Sequence, residues 1–349
     1  MVCEDGLRRT RMNKGWLRWL VLLALAAGAC GEGSKTCPVF ATDIRLPADR
    51  APHNYPFEWW YFTGHLWDER QQRFGFEVSF FQAAVGTGFA HISHFAVSDP
   101  NAGEHVYDQQ IIIVDSPPER LDLEINGQRL WLENGSYRMQ LAFSQAGVDL
   151  TATAEKPAAL HNQNGIIDMG GGGWSYYYSE TRLQVSGTLE VAGKKFSVQG
   201  LGWHDHQWGD FDVFASDGWD WFSLQLDDRT ELMLFLLHPK TGEPQLTGCT
   251  FVDRDGCVHD LEQFELQAHR SWTSPHTGGV YPLDWTLRVP EIELQVELLA
   301  TFDDQEMDSR RTTLNTYWEG EVTINGSRAG KAVTGLGYVE LAGYGPWGP

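Results

Sequence analysis

One eight-residue pattern is written twice in this chain, 160 positions apart. Trp59-Trp60-Tyr61-Phe62-Thr63-Gly64-His65-Leu66 aligns with Trp219-Asp220-Trp221-Phe222-Ser223-Leu224-Gln225-Leu226, and the shared form is W-x-[YW]-F-[ST]-x-x-L. A second match closes each copy. Gly187-Thr188-Leu189-Glu190-Val191-Ala192-Gly193 leads to Gly200-Leu201-Gly202-Trp203. Gly320-Glu321-Val322-Thr323-Ile324-Asn325-Gly326 leads to Gly335-Leu336-Gly337-Tyr338. Chance can supply one such pair, but two in the same order argue for a duplicated unit of ~120–145 residues. The length of 349 residues agrees, at a prior of ~150 residues per domain. The expected division is 52–210 and 211–349. No Pro/Ser-rich linker separates the halves, so they are expected to pack together.

Short alternating segments dominate each half. Phe74-Gly75-Phe76-Glu77-Val78-Ser79-Phe80 alternates, as does Leu121-Asp122-Leu123-Glu124-Ile125 before the turn signal Asn126-Gly127. Asn325-Gly326 repeats that turn signal, and residues 232–237 form an apolar run short enough for a buried strand. The 15 Trp and 37 Gly, with no long amphipathic helix, point the same way. The expected class is all-β, with eight to ten antiparallel strands per unit closing as a barrel, because closure removes exposed edges. Around eight strands leave room for one small ligand. A sandwich stays open as the structural alternative.

The first 30 residues read as an address. Lys14 and Arg18 precede an apolar run over 19–29, short for a bilayer span and right for a signal-peptide core. Ala27-Gly28-Ala29-Cys30 resembles a bacterial lipobox, which assigns 1–29 to a signal peptide, Cys30 to lipidation and 30–51 to a tether. An ordinary cleavage near Ala29 is the alternative. Either reading exports the chain to the cell envelope, where disulfides are permitted. Cys249 and Cys257 flank a turn, and a bridge between them is open but not implied. The net charge of −21 excludes non-specific nucleic-acid binding and docking on anionic lipid through a basic face.

Four segments together carry a family resemblance: Glu58 to Leu66, Trp203-His204-Asp205-His206-Gln207-Trp208-Gly209-Asp210, Gly218 to Phe222, and Tyr317-Trp318-Glu319-Gly320. They resemble the carotenoid 1,2-hydratase (hydroxyneurosporene synthase) family and its secreted AttH-like relatives. The resemblance implies two tandem lipocalin-like (calycin) antiparallel β-barrels. It implies either cofactor-independent addition of water to an isoprenoid double bond, or a lipoprotein without assigned activity, sometimes paired with ABC-transporter components. A His-x-Trp pair implicated in the hydratases falls on His206 and Trp208. The Tyr and acid that those hydratases place soon afterwards are missing here, where residues 231–237 offer only Glu231.

Read from the residues, the His204–Asp210 segment is the strongest candidate site. In a strand, His204 and His206 share one face and Asp205 takes the other. His beside a carboxylate can hold or deliver a proton near neutral pH, and Trp faces can stabilise a carbocation. That makes His206, Trp208 and Asp205 the candidate catalytic residues. A polar cluster joining the two halves is the plainer reading. A metal is not assigned, because no third ligand is marked by spacing. His65, Tyr176, Tyr178, Trp219 and Trp221 are candidate ligand-binding residues; His65 can line a barrel cavity, with a structural role as the plainer reading. The glycines at 170–173 suggest a loop or lid but lack P-loop spacing, and no G-x-S-x-G, HExxH or Rossmann signature is present. Three functions remain. The first is an exported protein binding a long apolar molecule within its barrels, without cofactor, either alone or in the service of an ABC transporter. The second is a hydratase, and the third a structural lipoprotein.

Overall fold

The computed structural model describes residues 37–169, 172–240 and 245–348. The signal core and Cys30 lie outside these residues. Twelve strands build the first sheet. They are β1 (Phe57–Asp68), β2 (Arg73–Val85), β3 (Gly88–Asp99), β4 (Glu104–Val114), β5 (Asp122–Ile125) and β6 (Gln128–Glu133). Next come β7 (Ser136–Ala142), β8 (Ala146–Ala154), β9 (Ala159–Leu160), β10 (Ile166–Asp168), β11 (Gly173–Val191) and β12 (Lys194–Phe211). A short 3-10 turn, Val213–Ala215, leads to the ten strands of the second sheet. These are β13 (Gly218–Leu226), β14 (Glu231–His238), β15 (Leu246–Val252), β16 (Val258–Asp260) and β17 (Glu265–Thr273). They continue with β18 (Val280–Val289), β19 (Leu294–Ala300), β20 (Glu306–Asp308), β21 (Thr316–Arg328) and β22 (Lys331–Ala342).

Every pairing is antiparallel, and both sheets curl into barrel-like folds. The first runs in the order β4-β3-β2-β1-β12-β11-β8-β7-β6-β5, with β9 and β10 added on β11. Its two ends approach each other: Gln128 accepts from Ser93 at 2.6 Å and donates to Asp108 at 2.9 Å. The second runs β16-β15-β14-β13-β22-β21-β19-β18-β17, with β20 on β21. In each sheet the first strand pairs with the last, so the two repeated motifs are hydrogen-bonding partners. Gly64 and Leu66 face Gly202 and Gly200, while Leu224 and Leu226 face Gly337 and Gly335. A Cβ on Gly200 would run into the His65 carbonyl, and one on Gly335 into the Gln225 carbonyl. The glycines mark a close backbone approach made twice.

Both interiors are filled. Trp60, Phe62, Phe74, Phe76, Tyr137 and Leu150 are among the residues packing the first, and Phe222, Trp285, Leu287 and Trp318 among those packing the second. The expected room for a ligand within a barrel is therefore taken up, among the described residues, by apolar side chains from opposite walls.

Three local expectations change as well. Asn126-Gly127 does form the β5–β6 turn, both residues at positive φ. Asn325-Gly326 does not turn; it lies within β21, and the hairpin reverses at Ala329-Gly330. Gly326 is instead the counterpart of Gly187, since a Cβ on either would strike the neighbouring strand's backbone at Gln295 or Asp149. Cys257 pairs with Cys37, not Cys249, which is buried and free. The stretch 37–51 is fastened to the first sheet. Ile44 packs with Tyr178 and Trp208, and Arg50 pairs with Glu180.

Candidate active site between the two sheets

Alternation along β1, β11 and β12 sends neighbouring side chains to opposite faces. Glu58, Trp60 and Phe62 share the barrel-side face with Trp208, His206 and His204, their register partners. Tyr176 and Tyr178 pair with Trp208 and His206 and lie on that face too. Trp59, Tyr61 and His65 lie on the other face with Asp205, Trp203 and Tyr177. That second face packs on β13, β21 and β22 of the second sheet. The sequence-predicted residues are thus divided. His206, Trp208, Tyr176 and Tyr178 cluster on one side, and Asp205, His65, Trp219 and Trp221 on the other. Asp205 does not join His206 and Trp208, which corrects the expected catalytic trio. His65 points away from its barrel interior and meets Glu321 of the second sheet at 2.9 Å, so it takes the structural role and not the cavity-lining one.

The seam between the sheets is unusually acidic for a buried place. Tyr61 donates to Glu319 at 2.6 Å, and Ser79 donates to Glu77. Asp205 accepts from Tyr177 at 2.5 Å, from the Trp203 indole at 2.6 Å and from Ser179. The Trp221 indole donates to the Tyr177 hydroxyl at 3.0 Å, carrying the network into the second sheet. Glu340 lies opposite Glu319 in the β21–β22 register. Among the described residues, no Lys or Arg pairs with Glu77, Glu319 or Glu340. One oxygen each of Glu77, Glu319 and Glu321 is buried without a hydrogen-bond partner.

Burial without a cation favours the neutral acid. Desolvation pushes Glu77 up to about 8, although the Ser79 hydroxyl opposes it. It lifts Glu340 to about 7 against the Trp219 indole N–H, and Asp205 to about 6 against its hydroxyl and indole donors. Glu319 goes well above the carboxylate range, first through burial and then through Glu340 and Glu77. Glu340 keeps partial exposure and borders a rim of half-buried apolar groups, Trp59, Met169, Trp219 and Phe235. At the seam's opposite edge a polar cleft of about 690 Å³ is lined by His105, Tyr107, Gln109, Asp308 and Arg310. From the seam, Tyr317 bonds His94 at 2.6 Å, and His94 bonds Thr312 at 2.9 Å. Thr312 then donates to Gln109 at the cleft, also at 2.9 Å. Glu231 is an anchor across the sheets: Lys156 and Arg182 hold it at 2.7 and 2.6 Å.

The barrel-side cluster is chemically different. Glu58 is fully buried, and its Oε1 lies 2.7 Å from His53 Nδ1 and 2.8 Å from His206 Nε2. His53 stacks on Trp208, with ring centroids 4.3 Å apart. The potential ligand atoms of His53, Glu58 and His206 all lie within 4.8 Å of one another.

Sequence reasoning missed the seam's acids. A signal existed: Phe76-Glu77-Val78, Trp318-Glu319-Gly320 and Val339-Glu340-Leu341 each place one acid inside an apolar strand. An acid there either faces water or is buried at a cost. Only the stacking of the two sheets reveals which.

The AttH-like family pattern matches residues 38–344. The chain belongs to the AttH-like family. A solved AttH structure from Nitrosomonas europaea is 31% identical, with a TM-score of 0.80, covering 88% of this chain and all of that one. Kievitone hydratase of Fusarium solani subsp. phaseoli is 25% identical, covering 73% of this chain and 75% of the enzyme. Dehydratase asqC of Emericella nidulans is 24% identical, covering 65% and 68%. These two relatives are named for adding or removing water. Neither name specifies a carotenoid, so the sequence resemblance holds at the level of the AttH-like family.

Proposed function

We propose that the chain is a cofactor-independent hydratase or dehydratase acting on a hydrophobic small molecule, with the seam as its active centre. The observation that carries this reading is the group Glu77, Glu319 and Glu340. These carboxyls are held towards the neutral form, without a cation, beside an aromatic rim. Adding water to a double bond needs a proton donor that is still protonated near neutral pH. Glu340, partly exposed beside the rim, is the proposed donor. In hydration its proton goes to one alkene carbon, water oxygen bonds the other, and a water proton returns to the carboxylate. Dehydration runs the same steps backwards. Trp59, Trp219 and Trp221 offer π faces to positive charge developing on carbon. The Tyr61 and Tyr338 hydroxyls, buried beside the acids, can orient an oxygen of the substrate.

An isoprenoid alkene, as the sequence resemblance implies, is one member of the substrate class. Export and a Cys30 lipid anchor remain part of the proposal. The Cys37–Cys257 bridge supports them, since such bonds persist in oxidising compartments. A carrier for apolar ligands, with or without a transporter, is less well supported: filled barrels give it no obvious hold, and a carrier has no use for neutral acids.

The test incubates the purified chain in D₂O with a panel of hydrophobic conjugated alkenes and β-hydroxy ketones, read by NMR. Deuterium on the carbon next to a new hydroxyl is expected from the alkenes, and a new alkene signal with loss of the adjacent C–H from the β-hydroxy ketones. Glu340→Gln should reduce its formation by ~10²–10⁴-fold. Equal turnover in that variant would remove Glu340 from the chemistry.

A further inference from the structure

On the opposite face of β1 and β12, we propose that His53, Glu58 and His206 form a binding site for a divalent transition metal of the zinc type. The reading is independent of the seam. Its basis is how the three side chains are aimed. Glu58 Oε2 accepts from the His53 backbone N–H at 2.7 Å, with the Gln82 amide at 3.4 Å. That fixes the carboxylate and leaves Oε1 facing two imidazole nitrogens at once, at 2.7 and 2.8 Å. Each imidazole has a second partner behind it. His206 Nδ1 faces the Tyr178 hydroxyl at 3.1 Å, and His53 Nε2 faces the Asp49 carboxylate at 3.7 Å. Outer groups of this kind orient a metal-ligating imidazole and set which nitrogen is offered.

The rings are also clamped. His53 lies parallel to Trp208 within 6°, and His206 stacks on Trp60 at 4.8 Å. Three ligands from three separate backbone points therefore converge before any ion arrives. Two nitrogens and one carboxylate oxygen suit zinc and its neighbours better than calcium or magnesium, which prefer oxygen. At metal–ligand distances of ~2.0–2.2 Å, a tetrahedral set places its donors roughly 3.3 Å apart. The two contacts to Glu58 need to open by about half an ångström, and the two imidazole nitrogens, within 4.8 Å of each other, to settle to the same spacing, with water in the fourth position. His53 is one-fifth exposed, which gives an ion a way in. A bound ion would cross-link the segment before β1 to β1 and β12.

The experiment strips the intact chain with a chelator, then titrates Zn²⁺ by calorimetry and Co²⁺ by visible absorption. One saturable equivalent is expected, together with a Tm that rises with free metal. His53→Ala, at a partly exposed position, and Glu58→Gln should abolish both signals, while circular dichroism checks their folding. Tyr178→Phe should weaken binding by ~10–100-fold. His204→Asn, two residues along the same strand face but outside the set, should bind as the parent does. No saturable equivalent in the parent, or an unchanged one in His53→Ala, would overturn the proposal.

Discussion

Glu77 and Glu340 keep their protons to about 8 and about 7 in the folded chain, against about 4.5 once unfolded. Between those limits the folded form binds more protons, so its stability falls as pH rises. His94, His105, His161 and His204, each lowered to about 3 by burial, act in the opposite sense. Their effect fades as pH rises through about 6.5, where unfolded histidine loses its proton. From about pH 7 to 8 the carboxyls outweigh them, and Tm should fall across that window. Glu77→Gln should flatten the fall; an unchanged slope would mean the acid ionises freely in place. At this scale the sequence was half legible. Alternation alone put Asp205 and His206 on opposite faces. Grouping both with Trp208 in one site failed, because adjacency in a strand separates side chains. Glu340 and Glu77 were invisible as partners, since they lie on different sheets and meet only through stacking.

Gly200 and Gly335 show what the duplicated element requires. Each lets the first and last strands of its sheet approach too closely for a side chain. Gly200→Ala must push the β1 backbone away and should cost ~1–3 kcal/mol, read as a lowered urea midpoint. An unaltered midpoint would mean that the strands can part without loss. The repeat was legible because this constraint is local and is imposed twice. The second internal match was misaligned at Gly320 because the β21–β22 hairpin is shorter than its β11–β12 counterpart. The turn then falls at Ala329-Gly330, where no Asn announces it. Asn-Gly signals a turn only when the glycine supplies positive φ. Gly326 is needed for clearance instead.

Across the whole molecule, fold class was the most legible property, because strand alternation and the repeat both act at short range. How the two curled sheets meet was not. Their contact depends on residues far apart along the chain, such as Tyr61 and Glu319, 258 positions apart. The Cys37–Cys257 bridge is equally non-local, and Cys spacing alone left the pairing open. It spans 220 residues, so Cys257→Ser should lower stability by ~2–5 kcal/mol, measured by denaturant unfolding of the oxidised chain. A loss well under 1 kcal/mol would mean that the unfolded chain is already constrained by other contacts.

That bridge also decides how the molecule would carry a mechanical load. Suppose the chain is pulled by its two ends. Tension enters at Cys37, crosses the sulfur–sulfur bond and leaves at Cys257, bypassing the entire first barrel and β13 to β15. Only the strands after β15 are in series with the force, and each residue they release adds ~3.5 Å of length. Everything inside the clasp stays slack until the bond is reduced.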